Sequence, residues 1–309
     1  MERVLPRAFV WRRLHSLLGL WIVLFLIEHL FTNSQAALLI GDDGNGFVRA
    51  VNFLKSLPYL PVIEIVLLGV PILFHIIWGV RILMTSKMNS FPSNGSKPAL
   101  TEYGRNHAYS WQRITSWILL VGIVLHVGYM RFYRYPDSVK QGLKTIYFVR
   151  LHDDPGLPTV ADRLGANLFL ASEIEEKQKE FKRFDIPSKT DALKYQTYKE
   201  TRKWVNTLSK QSLTSNELIA TTESFGVAEL LIVRDSFSSI FKSILYTFFV
   251  LAAAFHAFNG LWTFMITWGV ILSIRSQKSM VNVCYSIMLL IAFLGLAAVW
   301  GTYWMNLRS

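Results

Sequence analysis

Residues 62–84 read VIEIVLLGVPILFHIIWGVRILM. The stretch is apolar over more than the roughly 20 residues that a helix needs to cross a bilayer core. It also carries His75 near its middle. An ionisable side chain at that depth is expensive in lipid, so it is expected to face other protein. Four more runs share the length and character: roughly 14–34, 110–132, 240–274 and 281–305. The first is too long for a cleaved signal peptide and contains Glu28 and His29 instead of a small-residue cleavage site. The expected fold class is an all-α membrane protein with five transmembrane helices.

Composition agrees and removes alternatives. Of 309 residues, 52% are hydrophobic and 17% charged, an unusual balance for a compact soluble enzyme. The net charge of +11 would suit a nucleic-acid partner if it were spread over a soluble surface. It is not so spread. Arg3, Arg7, Arg12 and Arg13 precede the first run; Arg81, Lys87, Lys97, Arg105 and Arg113 lie between the second and third; Arg275 and Lys278 lie between the fourth and fifth. These eleven bases face only Glu2 and Glu102, whereas Asp42, Asp43, Arg49 and Lys55 leave the first loop on the other side neutral. The bias places the N-terminus in the cytoplasm and the C-terminus outside, with lipid and not nucleic acid as the surrounding partner. The single cysteine, Cys284, excludes an intrachain disulfide and any CxxC metal site.

Residues 133–239 differ from the rest, being polar and carrying both charge signs in runs such as EIEEKQKEFKR at 173–183. Apolar residues at Leu164, Leu168, Ile174, Phe181, Leu193 and Trp204 predict a mainly helical insert outside the membrane, broken near 153–158 and at Pro187-Ser188. Three regions follow: spans one to three in 1–132, the insert in 133–239, and spans four and five in 240–309.

Four of the seven histidines, His29, His75, His126 and His256, fall inside the first four runs, one in each. Packing alone does not account for such a distribution. Neutral imidazoles in pairs on facing helices suit a bis-histidine haem, which needs one axial nitrogen on each side of a flat ring. Gly79, Gly122 and Gly260 stand four residues from His75, His126 and His256, leaving a bare turn on the same face for a ring edge. Depth along the helices pairs His29 with His126 towards the outside and His75 with His256 deeper. Arg12, Arg13, Arg81 and Arg113 are candidate propionate partners at the inner end. Glu64, eleven residues before His75, and Glu28, beside His29, are candidate proton-carrying groups. On a uniform helix Glu64 and His75 share a face, about 16 Å apart. His15, His107 and His152 are expected to be interfacial or solvated. A proton- or metal-coupled transporter lined by the same His and Glu residues would show repeated helix sets, which the sequence lacks. A receptor acting through the insert is a further alternative.

The strings WRRLHSLLGL…IEHLFTN (11–33), FLKSLPYL…EIVLLGVPILFHIIWGVRI (53–82), WQRITSWILL…LHVGYMRF (111–132) and FHAFNGLWTFMITWGV (255–270) resemble the single-chain, di-haem cytochrome b anchors of succinate:quinone oxidoreductases. This is the type found in Bacillus-like succinate dehydrogenases and epsilonproteobacterial fumarate reductases. The resemblance implies that His75 and His256 hold the inner haem and His29 and His126 the outer one. It implies flavoprotein and iron–sulfur partners on the cytoplasmic face and a quinone acceptor, usually menaquinone, at an external site near Glu64. The substrate chemistry would then lie in the partners, because this chain has no flavin fingerprint or cysteine cluster. A di-haem anchor of a formate dehydrogenase or hydrogenase is the neighbouring reading. Two departures stand out. The long insert replaces a short connection, and Ala254 occupies the place of a glutamate found two residues before the fourth ligand in the fumarate reductases.

Overall fold

The computed structural model describes residues 5–38, 42–86, 90 and 100–307. Of the basic residues counted for orientation, Arg3, Lys87 and Lys97 lie outside the described residues, as does Glu2. Among the described residues five helices are long and apolar enough to cross a membrane: Arg7–Ser34, Leu60–Thr85, Gly104–Tyr133, Ile240–Thr267 and Ile274–Asn306, called spans one to five.

Span four is shorter than the apolar run suggested. It stops at Thr267 because Gly269 adopts a left-handed conformation (φ +70°). The Gly269 amide then bonds the Ile266 carbonyl and the Val270 amide the Met265 carbonyl, at 3.1 and 3.0 Å. That pair of bonds is a Schellman C-cap, which satisfies carbonyls a helix end leaves open. Span two is not uniform either. A π-helical turn, Ile65–Gly69, separates the short helix Leu60–Glu64 from Val70–Thr85. The wider turn frees a carbonyl, which cannot be left unpaired in lipid. The indole Nε1 of Trp21 in span one donates to the Leu67 carbonyl at 2.6 Å. The uniform 100° count from Glu64 to His75 therefore fails, and with it the inference that they share a face.

Contacts divide the chain into two compact units. The first contains 1–31, 58–126 and 244–296, which take in most of each of the five spans. Its core includes Val23, Leu30, Ala254, Ala257, Ile291 and Leu294.

The second unit gathers 32–57, 127–243 and 297–309. These are the three segments that an odd number of spans puts on one side, and here they pack together. Contrary to the mainly helical expectation, the insert contains a four-stranded antiparallel sheet in the order β1-β2-β4-β3, made of β1 (Asp137–Gln141), β2 (Lys144–His152), β3 (Asn167–Phe169) and β4 (Glu217–Thr222). Alternate residues point to opposite faces. Val149, Leu151, Leu218 and Ala220 meet helices Leu157–Leu164 and Phe225–Ser236 on one face; Phe148 and Ile219 meet Ile174 and Leu208 on the other.

The connection between spans one and two is tied into this unit. Helix Asn45–Ser56 lies against Phe225–Ser236 so closely that a Cβ on Gly226 would collide with the Val48 carbonyl. Asn52 Oδ1 accepts from the Gly226 amide at 2.8 Å, and Asn52 Nδ2 donates to Ser224 Oγ at 2.9 Å. A buried Arg134–Asp235 pair (2.7 Å) sits at the end of β2, where Asp235 also accepts from the amide and ring Nδ1 of His152. His152 is thus engaged in structure and is not simply solvated. Asn306, near the C-terminus, donates to the Arg234 carbonyl at 2.8 Å.

Candidate functional site

His29, His75, His126 and His256, from spans one to four, all lie in the first unit, and the structure brings them together in two pairs. His29 and His126 have ring centroids 5.9 Å apart with planes at 79°; His75 and His256 are 6.3 Å apart at 77°. These are the pairs expected from depth along the helices. A metal bonded at about 2 Å to one nitrogen of each of two facing rings needs centroids about 6 Å apart. Among the described residues no group of three or more His, Cys, Asp or Glu side chains could hold a bare metal ion. The donor set is therefore two nitrogens per pair, which suits a flat macrocycle that supplies the remaining ligands itself.

The second nitrogen of a ligating histidine ordinarily bonds to a neighbour that fixes the ring. His126 Nδ1 lies 3.0 Å from the hydroxyl of Tyr246 in span four, and His75 Nδ1 lies 3.2 Å from the His15 carbonyl in span one. In both rings Nε2 is then the nitrogen left for the partner histidine's side. Span four near His256 is held differently. Gln112 Nε2 donates to the His256 carbonyl at 3.4 Å, and the buried Asn259 donates through Nδ2 to Gln112 Oε1 at 3.0 Å. Sequence reasoning missed Tyr246, Gln112, Asn259 and His15. Gln112 and Asn259 stood inside WQRITSW and FHAFNGLW, and a tyrosine hydroxyl deep in an apolar helix is itself a signal that a partner exists.

His15 is the largest departure from expectation. Its ring stacks on His75 with centroids 4.0 Å apart, and its Nδ1 is buried without a partner. The fit is close: a Cβ at Gly19 would stand 3.0 Å from the His75 ring, and one at Gly79 3.7 Å from His15. His256 Nδ1, Trp78 Nε1 and Arg113 Nε are also buried and unpartnered. Buried polar atoms without partners are costly unless a polar group meets them, and two of them, His15 Nδ1 and His256 Nδ1, belong to rings that meet His75.

The other candidates divide. Arg113, half-buried with its Nε unpartnered, points its charge into protein, and Arg13 donates to the Thr267 carbonyl at 3.1 Å. Arg12 and Arg81 are exposed. Glu64 is half-buried at the entry to the π turn, whereas Glu28 is exposed, so burial gives no argument for a proton role there. Of the three glycines, Gly260 faces open space, Gly79 meets His15, and a Cβ at Gly122 would collide with the Phe249 ring. The bare turn beside His126 is thus filled by an aromatic side chain.

No family model and no solved structure matches the chain. A curated protein does: the succinate dehydrogenase cytochrome b558 subunit of Bacillus subtilis (strain 168) is 25% identical over 294 residues, spanning 95% of this chain and 96% of that protein. Along nearly its whole length, then, the chain is similar to a succinate dehydrogenase cytochrome b subunit, the same family that the strings in its first four spans resemble.

Proposed function

We propose that this chain is the cytochrome b membrane anchor of a succinate:quinone oxidoreductase and holds two b-type haems, the outer between His29 and His126 and the inner between His75 and His256. The observation that carries the reading is the pairing of four imidazoles from four spans at 5.9 and 6.3 Å, with no third protein ligand at either pair among the described residues. The whole-length likeness to a succinate dehydrogenase subunit supplies the partner complex. Bound haem supplies reversible one-electron chemistry.

The chain's residues supply the rest. Tyr246 and the His15 carbonyl fix the ring orientation of His126 and His75; Gln112 and Asn259 tie spans three and four beside His256. Arg113 and Arg13 are the better placed of the four arginines for propionates, because Arg12 and Arg81 are exposed. Glu64 is the proposed quinone-linked proton group, with menaquinone as the acceptor. The basic loops put the N-terminus in the cytoplasm, where the flavoprotein and iron–sulfur subunits dock, and the C-terminus outside. Succinate is oxidised in those partners and not in this chain.

The test is a redox-titrated absorbance spectrum of the purified complex. Two b-type components are expected. His126→Ala should remove one and His256→Ala the other, each leaving its counterpart reducible. A purified, folded chain with no b-type bands refutes the reading, as does loss of both components from either variant with the fold intact.

A further inference from the structure

We propose that the pocket where spans three, four and five meet at one end is a binding site for the phosphate headgroup and upper acyl chain of an anionic phospholipid. The pocket encloses about 340 Å³ and is lined by Arg105, Trp262, Ile274, Gln277, Lys278 and Val281. It is independent of the haem reading, since none of these residues belongs to either histidine pair.

Three observations carry it. The first is charge: two cations line the pocket and no carboxylate does. Arg105 is held by neutral partners, donating through Nη2 to Gln277 Oε1 at 2.6 Å and lying 4.8 Å over the Trp262 ring. Its guanidinium is fixed in place with its charge uncompensated by them. The second is an orphan: Trp262 Nε1 is buried and has no hydrogen-bond partner. Beside it, Arg105 and Lys278 supply N–H donors within a mostly apolar lining, which suits the phosphate of an amphipathic anion. The third is shape. Ile274, Gln277, Lys278 and Val281 follow the i, i+3, i+4, i+7 pattern, so one face of span five presents both the cation and the apolar side chains. The site stands at the start of spans three and five and near the end of span four, where a membrane protein meets headgroups. A free phosphate would use the cations but not the isoleucine, valine and indole surface, so the lipid is the occupant that uses the whole pocket.

The test uses the full-length chain in its complex, purified in a non-ionic detergent, with phosphatidylglycerol and phosphatidylcholine titrated in and bound lipid counted by native mass spectrometry. Phosphatidylglycerol is expected to bind more tightly than phosphatidylcholine. Arg105→Gln and Lys278→Gln should each weaken phosphatidylglycerol by about five-fold, whereas Arg275→Gln, an exposed base on the same helix end but outside the pocket, should not. Trp262→Phe keeps an aromatic ring beside Arg105 but removes the orphaned N–H with the rest of the indole, and should weaken the same lipid. Equal binding of the two lipids overturns the proposal. So does an equal loss in Arg275→Gln, which would mean a diffuse field, or inorganic phosphate binding as tightly as phosphatidylglycerol, which would mean a free-anion site.

Discussion

On the proposed two-haem reading, replacing Tyr246 with phenylalanine should raise the midpoint potential of the outer haem, at His29 and His126, and leave the inner one where it was. The hydroxyl lies 3.0 Å from His126 Nδ1, with the ring centroids 5.7 Å apart in an edge-on arrangement. If His126 ligates through Nε2, its Nδ1 carries the proton and donates to the tyrosine oxygen. That bond draws positive charge out of the imidazole, makes it a more basic ligand and favours the oxidised iron. Phenylalanine removes the acceptor and little volume. A hydrogen bond of this kind is worth about 1 kcal/mol. For a one-electron couple a tenfold change, about 1.4 kcal/mol, is about 59 mV. The expected shift is therefore about 40 mV upward. The assay is a potentiometric titration resolving both haems, with the outer component identified as the one that His126→Ala removes. Phenylalanine also leaves Nδ1–H buried without an acceptor, so thermal stability should fall by about 1–3 kcal/mol. A potential unchanged within about 10 mV refutes the reasoning. A downward shift, or an equal shift in both haems, refutes it as well.

Two further outcomes concern the second unit. Asn52→Ala leaves the Gly226 amide without its acceptor and costs Ser224 Oγ one of its partners, so the insert should lose about 1–3 kcal/mol in thermal or denaturant unfolding while the b-type bands of the proposed haems persist. Burial pushes the Glu229 carboxyl up to about 7, although Arg131 and Lys55 oppose the shift. The folded state then binds more protons than the unfolded chain between the ordinary carboxylate value, 4.5, and about 7. Stability should therefore fall as pH rises through that window and level off above it. Melting temperatures at pH 5 and pH 8 check the sign: Glu229→Gln should shrink the difference, and an equal difference in both proteins would exclude Glu229 as its source.

The spans were legible because a bilayer imposes a length and an apolarity that no loop mimics. Their ends were less so. Span four was overrun because TFMITWGVIL stays apolar past its true end, and only Gly269, in a left-handed conformation, marks the stop. The sheet escaped notice for a different physical reason. In β2 the run Ile146-Tyr147-Phe148-Val149 is apolar throughout because both faces are covered, so the period-2 alternation of a half-exposed strand is missing. The charged runs at 173–183 and 194–203 fall in helices Ala171–Lys182 and Ala192–Leu208, as expected, and the short strands β3 and β4 lie just before and after that helical pair.

The site was legible at the level of residue type and depth. A histidine in an apolar run advertises itself, and helix position alone pairs His29 with His126 and His75 with His256. What supports those rings was not legible, because it depends on which helices meet. Tyr246 is ten residues from His256 in sequence yet bonds His126, a member of the other pair. His15 sits a full four turns before His29 and belongs beside His75. The arithmetic from Glu64 to His75 failed for the same kind of reason: one π turn at Ile65–Gly69 changes the rotation, and the turn is stabilised by Trp21 from another helix. Local periodicity predicts which residues share a face only while the helix stays regular. Membrane helices depart from regularity where a neighbour satisfies the freed backbone. Both conditions are set by tertiary contacts, so the four paired histidines could be read from one helix at a time and their supports could not.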